Sequence, residues 1–277
     1  MTALSADVLG DYERFSIYNS PYPAHDFGCA IDLYPSGTDA RSPVAGEVVE
    51  TRTVRCPERS YAVGTDHLIL IDCGDRVARI LHVDPDVEAG ARIDRGDRLG
   101  TLIRSGFFGR WVDNHIHLGF RRPDQNLRRA SGSLRLEVDV PVTGVAWDGT
   151  GTIVDAGPTH VQLDSPRHGG RGFASLADDD GTPLDGGLPH YAGGGALTPT
   201  TGELSLLGTT IGTADGRGVA WNNVAVFADG VRATGLSLFA SRAQFGAKIV
   251  FHGGHDFSVG DEISVTIDPT DDPIRLG

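Results

Sequence analysis

Two histidines separated by one residue form the pattern in this sequence that most readily suggests chemistry. His115 and His117 lie in the stretch NHIHLGF. Residues i and i+2 of a β-strand project from the same face, so the two imidazole rings would stand side by side. They would then suit one metal ion, or one metal ligand and one catalytic base. Such pairs are also common without function, and the surrounding residues decide the interpretation.

Other residues that could take part in such a site precede this pair. His25 comes first, and Asp32 follows in GCAIDLYP. The stretch SPVAGEVVE spans 42–50, His82 lies in LILIDCGDRVARILHVD, and VEAGARIDRGDRLGTL spans 87–102. Imidazole nitrogens and carboxylate oxygens are common metal ligands.

In this order the motifs resemble the lysostaphin/LytM-type zinc metallopeptidases over residues 22–121. That family has a His and an Asp before a short strand, and then a PVxGxV turn. A strand ending in an HL-type motif, a VxxGxxVxxGxxIG hairpin and a terminal HxH follow. The resemblance implies an N-terminal β-sandwich or barrel of the duplicated-hybrid-motif kind, and hydrolysis of an amide bond.

The resemblance also implies a role for each matched residue. The metal ligands of a Zn²⁺ ion would be His25, Asp32 and His117. His82 and His115 would flank the attacking water and the scissile carbonyl, one as general base and the other stabilising the charge that develops. Asp113 and Asn114, next to the HxH pair, would either support it by hydrogen bonds or serve as turn residues.

The first ligand departs from the family pattern. The family places its leading His four residues before the Asp, and that position is Gly28 in this sequence. His25 lies seven residues before Asp32, an odd offset that puts the two side chains on opposite faces of a regular strand. His25 therefore reaches the metal only if the chain bends, which Gly28 would permit. Otherwise the site uses Asp26 or Cys29, recruits a histidine from the second half, or lacks a metal.

The same stretches also resemble biotinyl/lipoyl-type carrier domains and the related sugar-phosphotransferase domain. A carrier domain needs an exposed lysine at a hairpin tip. The one lysine of this chain, Lys248, lies far outside the region, so covalent carriage by lysine is excluded there.

Short apolar runs bounded by Gly, Pro or Asp predict an all-β fold with almost no helix. The predicted strands of the first half are 29–34, 46–54, 67–72, 77–83, 98–103 and 114–120. Those of the second half are 136–142, 151–155, 160–164, 219–227, 236–239, 247–251 and 262–267. The run Leu68–Ile69–Leu70–Ile71 is continuously apolar, which indicates a strand covered on both faces.

The chain is long enough for two domains. We predict a peptidase-like β-domain over 1–130 and an accessory β-rich domain of unknown type over 136–277. The polar stretch 121–135 reads as a linker or a helical excursion. Residues 165–195 are rich in Gly and Asp and predict a long loop that carries His168, His190 and Tyr191 on the surface.

The amino-acid composition narrows the range of functions that this protein can have. The formal net charge is −13, which excludes wholesale nucleic-acid binding because phosphate recognition needs a basic surface. The 29 Asp and 8 Glu, with 23 Arg and one Lys, suggest a salt-adapted, halophilic host. The alternative is a GC-rich genome, which favours Arg over Lys but explains the excess of Asp less well. No apolar run approaches membrane-spanning length, and the first residues lack a signal-peptide pattern, so we predict a cytoplasmic protein without membrane contact.

Three functional hypotheses follow. The first is a zinc-dependent hydrolase that acts on a peptide or a small amide substrate. The second is a non-catalytic binding or scaffold module that retains the fold. The third is a small-molecule hydrolase on the same scaffold. An intact His25–Asp32–His117 group beside His82 and His115 favours an enzyme, whereas a His25 that points away favours the binding module.

Overall fold

The computed structural model describes residues 2–243 and 245–276, and strands dominate it. The prediction of an all-β fold with two domains is confirmed. One compact unit comprises Met1–Phe15 and Phe27–Val140, and the other comprises Ser16–Asp26 and Pro141–Gly277.

The first unit contains one short helix and a series of short strands. Its elements are β1 Thr2–Ser5, α1 Ala6–Leu9, β2 Arg14–Ser16 (whose last residue belongs to the second unit), β3 Ala30–Tyr34, β4 Asp39–Arg41, β5 Gly46–Arg55, β6 Thr65–Asp72, β7 Val77–Leu81, β8 Val83–Pro85, β9 Arg92–Ile93, β10 Arg98–Leu102, β11 Ile116–Arg121 and β12 Leu136–Asp139.

The main sheet of this unit is antiparallel and runs in the order β3-β11-β7-β6-β5-β9. A smaller sheet has the order β4-β10-β8, and β1 pairs with β12 in parallel. The four apolar residues 68–71 of β6 are all buried, which confirms that this strand is covered on both faces.

The stretch 121–135 contains no helix and is not an open linker. It folds around the buried guanidinium of Arg121, which donates hydrogen bonds to the carbonyl oxygens of Asn126, Arg129 and Ser131. Arg79 of β7 donates to the carbonyl of Leu127, 2.7 Å away, and the Leu127 side chain packs on a cluster that contains Leu68 and Leu70. This loop therefore covers one face of the main sheet.

The second unit is built from longer strands. Its elements are α2 Pro23–Asp26, β13 Val142–Val145, β14 Thr150–Gly157, β15 His160–Leu163, β16 Phe173–Leu176, β17 Leu184–Leu188, β18 Gly193–Leu206, β19 Thr209–Trp221, β20 Val224–Ala228, β21 Val231–Ala233, β22 Gly235–Leu238, β23 Ala240–Ser241, β24 Lys248–Val250 and β25 Glu262–Pro269. Ten of these strands form an antiparallel sheet in the order β19-β18-β17-β22-β24-β15-β14-β25-β20-β21, around a core that includes Trp147, Leu188 and Ile249.

The prediction of a long surface loop over 165–195 is wrong. This stretch contains β16 and β17, and β18 begins at Gly193. Two of its glycines pack directly against aromatic rings and leave no room for a side chain. A Cβ on Gly194 would lie 2.2 Å from the Trp221 ring, and one on Gly195 would lie 2.0 Å from the Tyr18 ring. His190 and Tyr191 are accordingly buried rather than on the surface.

The longest hairpin, β18–β19, was not predicted from the sequence. Its two-residue turn, Leu207–Gly208, has positive φ at both positions, the backbone of a type I′ turn. The usual Asn-Gly or Asp-Gly signal is absent. The Asp179 carboxylate replaces it by accepting hydrogen bonds from both turn N–H groups, at 2.9 and 3.0 Å. A side chain distant in sequence therefore stabilises this turn.

Asp185 of β17 holds the segment 16–18 within the second unit. Its carboxylate accepts hydrogen bonds from the Ser16 hydroxyl at 2.6 Å and from the backbone N–H groups of Ile17 and Tyr18 at 2.6 and 3.0 Å. Complete burial raises the pKa of this carboxyl to about 6, although the three hydrogen bonds act in the opposite direction.

We expect Asp185→Asn to remove a pH dependence from the stability of the protein. The carboxyl pKa rises from 3.8 to about 6 on folding, so the folded chain binds this proton more tightly than the unfolded chain. The wild type should therefore lose about 3 kcal/mol as the pH rises through that interval. Asparagine does not ionise, and its amide can still bond to Ser16 and to the backbone N–H groups.

Urea unfolding at a series of pH values measures this difference. The exposed Asp180 provides a matched control, because Asp180→Asn should follow the wild type across the range. Parallel stability curves for the wild type and Asp185→Asn would contradict a raised pKa at Asp185.

Candidate metal centre

The register between β3 and β11 pairs Asp32 with His117. Their Cα atoms are direct partners across the antiparallel strands, so both side chains lie on the same face. The His117 Nδ1 is 3.0 Å from the Asp32 Oδ1. Asp32 is 3% exposed, whereas His117 is partly accessible. The Asp32 carboxylate oxygen and the His117 imidazole nitrogen are thus close together at a point that solvent can reach.

Gly28 supplies the bend that the sequence predicts between His25 and Asp32. His25 lies in the single-turn helix α2, and Gly28 follows with a φ of 61°, in the left-handed region. His25 is buried, and its Nδ1 donates to the Ile17 carbonyl at 2.6 Å. His25, Asp32 and His117 each offer one ligand atom, and these three atoms lie within 4.8 Å of one another.

This donor set fits a divalent metal ion. Two imidazole nitrogens and one carboxylate oxygen are ligands of catalytic zinc, and at bond lengths of about 2.0–2.1 Å neighbouring ligands of a tetrahedral ion stand about 3.3 Å apart. The Asp32–His117 separation of 3.0 Å is close to that value. Because the Nδ1–H of His25 bonds to a carbonyl, its Nε2 keeps a lone pair for the metal, as in many histidine ligands.

His115 precedes β11 and is buried next to this group. Its Nδ1 donates to the Asp113 carbonyl at 2.8 Å, and its Nε2 lies 3.5 Å from the Asp32 Oδ2. Burial lowers the pKa of His115 to about 3, and the Asp32 charge only partly opposes this. Asp113 supports the HxH pair through its backbone, while its side chain accepts a hydrogen bond from Arg14.

His82 follows β7, and its backbone is unusual. Leu81 pairs with His117, so regular alternation would send the His82 side chain to the opposite face. His82 instead has a φ of 71°, which costs about 1 kcal/mol or more in a residue other than glycine. Its ring centroid lies 4.9 Å from that of His115 and 5.6 Å from that of His117. The departure from alternation thus places the His82 imidazole next to those of His115 and His117.

Aromatic side chains line the same space. The Phe108 ring lies 4.6 Å from the His115 ring and 5.1 Å from the His82 ring, and Tyr34 lies 5.0 Å from His115. Phe107 stands farther out, 6.2 Å from His82. These aromatic residues give the group of histidines an apolar wall.

The loop that carries Phe107 and Phe108 is wound around Arg104. The Arg104 guanidinium donates to the carbonyl oxygens of Gly109, Arg110 and Val112, and it lies 4.9 Å from the centre of the Phe108 ring. These residues were not predicted from the sequence. The Phe107–Phe108 pair, shortly before the HxH motif, is the sequence feature from which aromatic residues beside the histidines could have been predicted.

The structure therefore brings together all five predicted site residues, although their roles stay predictions. The alternatives for the third ligand are less well placed. Asp26 is exposed, and the Cys29 thiol donates to the Phe27 carbonyl. In the described part of the second half, no group of three potential ligands comes together. His255 bonds instead to the carbonyl oxygens of Gly157 and His160.

Comparisons with known proteins match most of the chain to one family. The family model described as "Domain of unknown function (DUF8155) N-terminal domain" matches residues 3–138, and the model of the C-terminal domain of the same family matches residues 143–268. No curated protein matches the sequence. Among solved structures, the NMR solution structure of lysostaphin is 15% identical, and the match covers 89% of this chain and 96% of that one. The TM-score is 0.29, too low to indicate a shared fold.

Within residues 2–243 and 245–276, no helix has the length and apolar character needed to cross a membrane.

We expect elemental analysis of the purified protein to find about one zinc per chain. His117→Ala and His25→Ala should each weaken zinc binding by about 100-fold or more, because each removes one of three protein ligands. The exposed His252 offers a matched control, and His252→Ala should keep the full zinc content. Full zinc content in His25→Ala would remove His25 from the ligand set, and no zinc in the reconstituted wild type would contradict the metal centre.

Proposed function

Since the chain belongs to the DUF8155 family, whose description names no function, we propose one from its site: zinc-dependent hydrolysis of an amide bond in a peptide or small amide substrate. The observation that carries this proposal is the grouping of His25, Asp32 and His117 next to two further histidines. Structural zinc sites are closed by four protein ligands, whereas catalytic sites use three and keep one position open.

In this proposal one set of residues binds the metal ion and another transfers protons. His25, Asp32 and His117 would hold the ion, which when bound lowers the pKa of water and polarises a carbonyl oxygen. His82 and His115 border the same space without belonging to the ligand group, so they are available for proton transfer. The His115 Nδ1 proton is committed to a backbone carbonyl, which leaves a lone pair on its Nε2 to accept a hydrogen bond from the attacking water.

The surroundings support a substrate with apolar or neutral groups beside the reacting amide. Tyr34, Phe107 and Phe108 provide an aromatic surface next to the histidines, and such a surface packs well against a peptide backbone and apolar side chains. The net charge of −13 disfavours a nucleic-acid substrate. The resemblance of the ordered motifs to those of lysostaphin/LytM-type peptidases also supports an amide substrate.

The test is hydrolysis of a panel of quenched fluorescent peptides, including glycine-rich ones, and of small amides by the zinc-loaded protein. We expect His82→Ala and His115→Ala to retain zinc but to lose about 10²-fold or more in kcat, because general acid–base catalysis contributes that much. His117→Ala should lose zinc and activity together. His252→Ala again serves as the control.

Two results would contradict the proposal. If fully zinc-loaded protein hydrolyses no member of the panel, the site serves in binding rather than catalysis. If both His82→Ala and His115→Ala retain wild-type kcat, neither ring transfers protons and the assigned roles are wrong.

A further inference from the structure

A buried carboxylate outside all the sequence motifs contacts His82. Asp66 of β6 is 0% exposed. Its Oδ1 accepts hydrogen bonds from the backbone N–H groups of His67 at 2.6 Å and of His82 at 2.9 Å. Its Oδ2 lies 2.5 Å from the His82 Nδ1. Asp66 thus binds both the backbone and the ring of a residue whose φ is 71°.

These contacts determine which ring nitrogen of His82 carries the proton. Burial opposes ionisation of the Asp66 carboxyl, but hydrogen bonds and charge from His82 outweigh it and lower the pKa to about 2. An ionised carboxylate only accepts hydrogen bonds, so the His82 Nδ1 must be the donor. When the ring is neutral, the Nε2 of His82 therefore carries the lone pair.

His82 and His115 differ in the partner of their Nδ1–H. His115 donates to a neutral backbone carbonyl, whereas His82 donates to a carboxylate. When a ring takes up a second proton it becomes an imidazolium, and a carboxylate stabilises that cation far better than a carbonyl does inside a protein. His82 is therefore better equipped than His115 to carry a proton between two steps of a reaction.

We propose that Asp66 is a positioning residue that fixes the ring orientation and the tautomer of His82, and that His82 is thereby the histidine that shuttles the proton during hydrolysis. This inference rests on the proposed function for its catalytic part. The positioning part is a property of the folded chain alone.

The proton balance is simple. As the water oxygen forms its bond to the amide carbon, one water proton passes to the His82 Nε2, and the imidazolium is paired with Asp66. As the carbon–nitrogen bond breaks, the same proton passes to the leaving nitrogen, which departs as an amine. The other product is a carboxylic acid, and the enzyme returns to its starting state.

The test is long-range ¹H–¹⁵N correlation NMR of the zinc-loaded, ¹⁵N-histidine-labelled protein. The His82 signals are identified by their loss in His82→Gln. In alkaline buffer the wild type should show a protonated Nδ1 and an unprotonated Nε2. A His82 protonated on Nε2 in the wild type would overturn the proposal, whether or not any variant folds.

Asp66→Asn should reverse the tautomer. Two backbone N–H groups occupy the Oδ1 position, so the asparagine oxygen takes that place and its NH₂ group faces the His82 Nδ1. An NH₂ donor requires an acceptor, which forces the ring proton to Nε2. Asp84→Asn is the matched control, because the exposed Asp84 carboxylate lies 3.6 Å from the His67 Nε2 and should leave His82 unchanged. An unchanged tautomer in folded Asp66→Asn would also overturn the proposal.

Kinetic measurements on Asp66→Asn distinguish a failure of this inference from a failure of the proposed function. Asp66→Asn should lower kcat by about 10²- to 10⁴-fold while KM and zinc content stay at wild-type values. A tautomer reversal in a protein that hydrolyses nothing would support the positioning role and refute the proposed function. A reversal that leaves kcat unchanged in an active enzyme would refute the role of His82 as the proton carrier.

Discussion

The candidate site depends on the register between β3 and β11. Because Asp32 and His117 are opposite partners in that ladder, a carboxylate oxygen and an imidazole nitrogen lie on one face, 3.0 Å apart. A slip of one residue would turn one of the two side chains to the other face of the sheet. The buried apolar residues that alternate with them, Ile31, Leu33, Ile116 and Leu118, specify the register through the opposite face.

Two departures from regular strand geometry accompany this pair. The chain bends at Gly28, between His25 and Asp32, and the left-handed backbone at His82 turns its ring towards His115 and His117. Hydrogen bonds to buried groups hold both departures in place. The Ile17 carbonyl fixes the His25 ring, and the Asp66 carboxylate fixes His82. Backbone strain of the kind seen at His82 is typical of functional sites, where the surrounding structure enforces it.

The features that could be predicted from the sequence are those whose signal lies in residues close together along the chain. The all-β fold, the doubly covered strand around Leu68–Ile71 and the shared face of His115 and His117 all follow from periodicity. Asp66 and Phe108 were missed, because contacts distant along the chain define their roles. The strands within 165–195 were missed because their glycines make room for Trp221 and Tyr18, and no periodic pattern records that requirement.

The most direct test of the metal centre is anomalous diffraction at the zinc absorption edge from crystals of the zinc-loaded protein. The account predicts one strong peak within about 2.2 Å of ligand atoms from His25, Asp32 and His117. His82 and His115 should lie outside bonding distance of that peak. A peak coordinated by other residues, or no peak near Asp32 and His117 at full zinc loading, would contradict it.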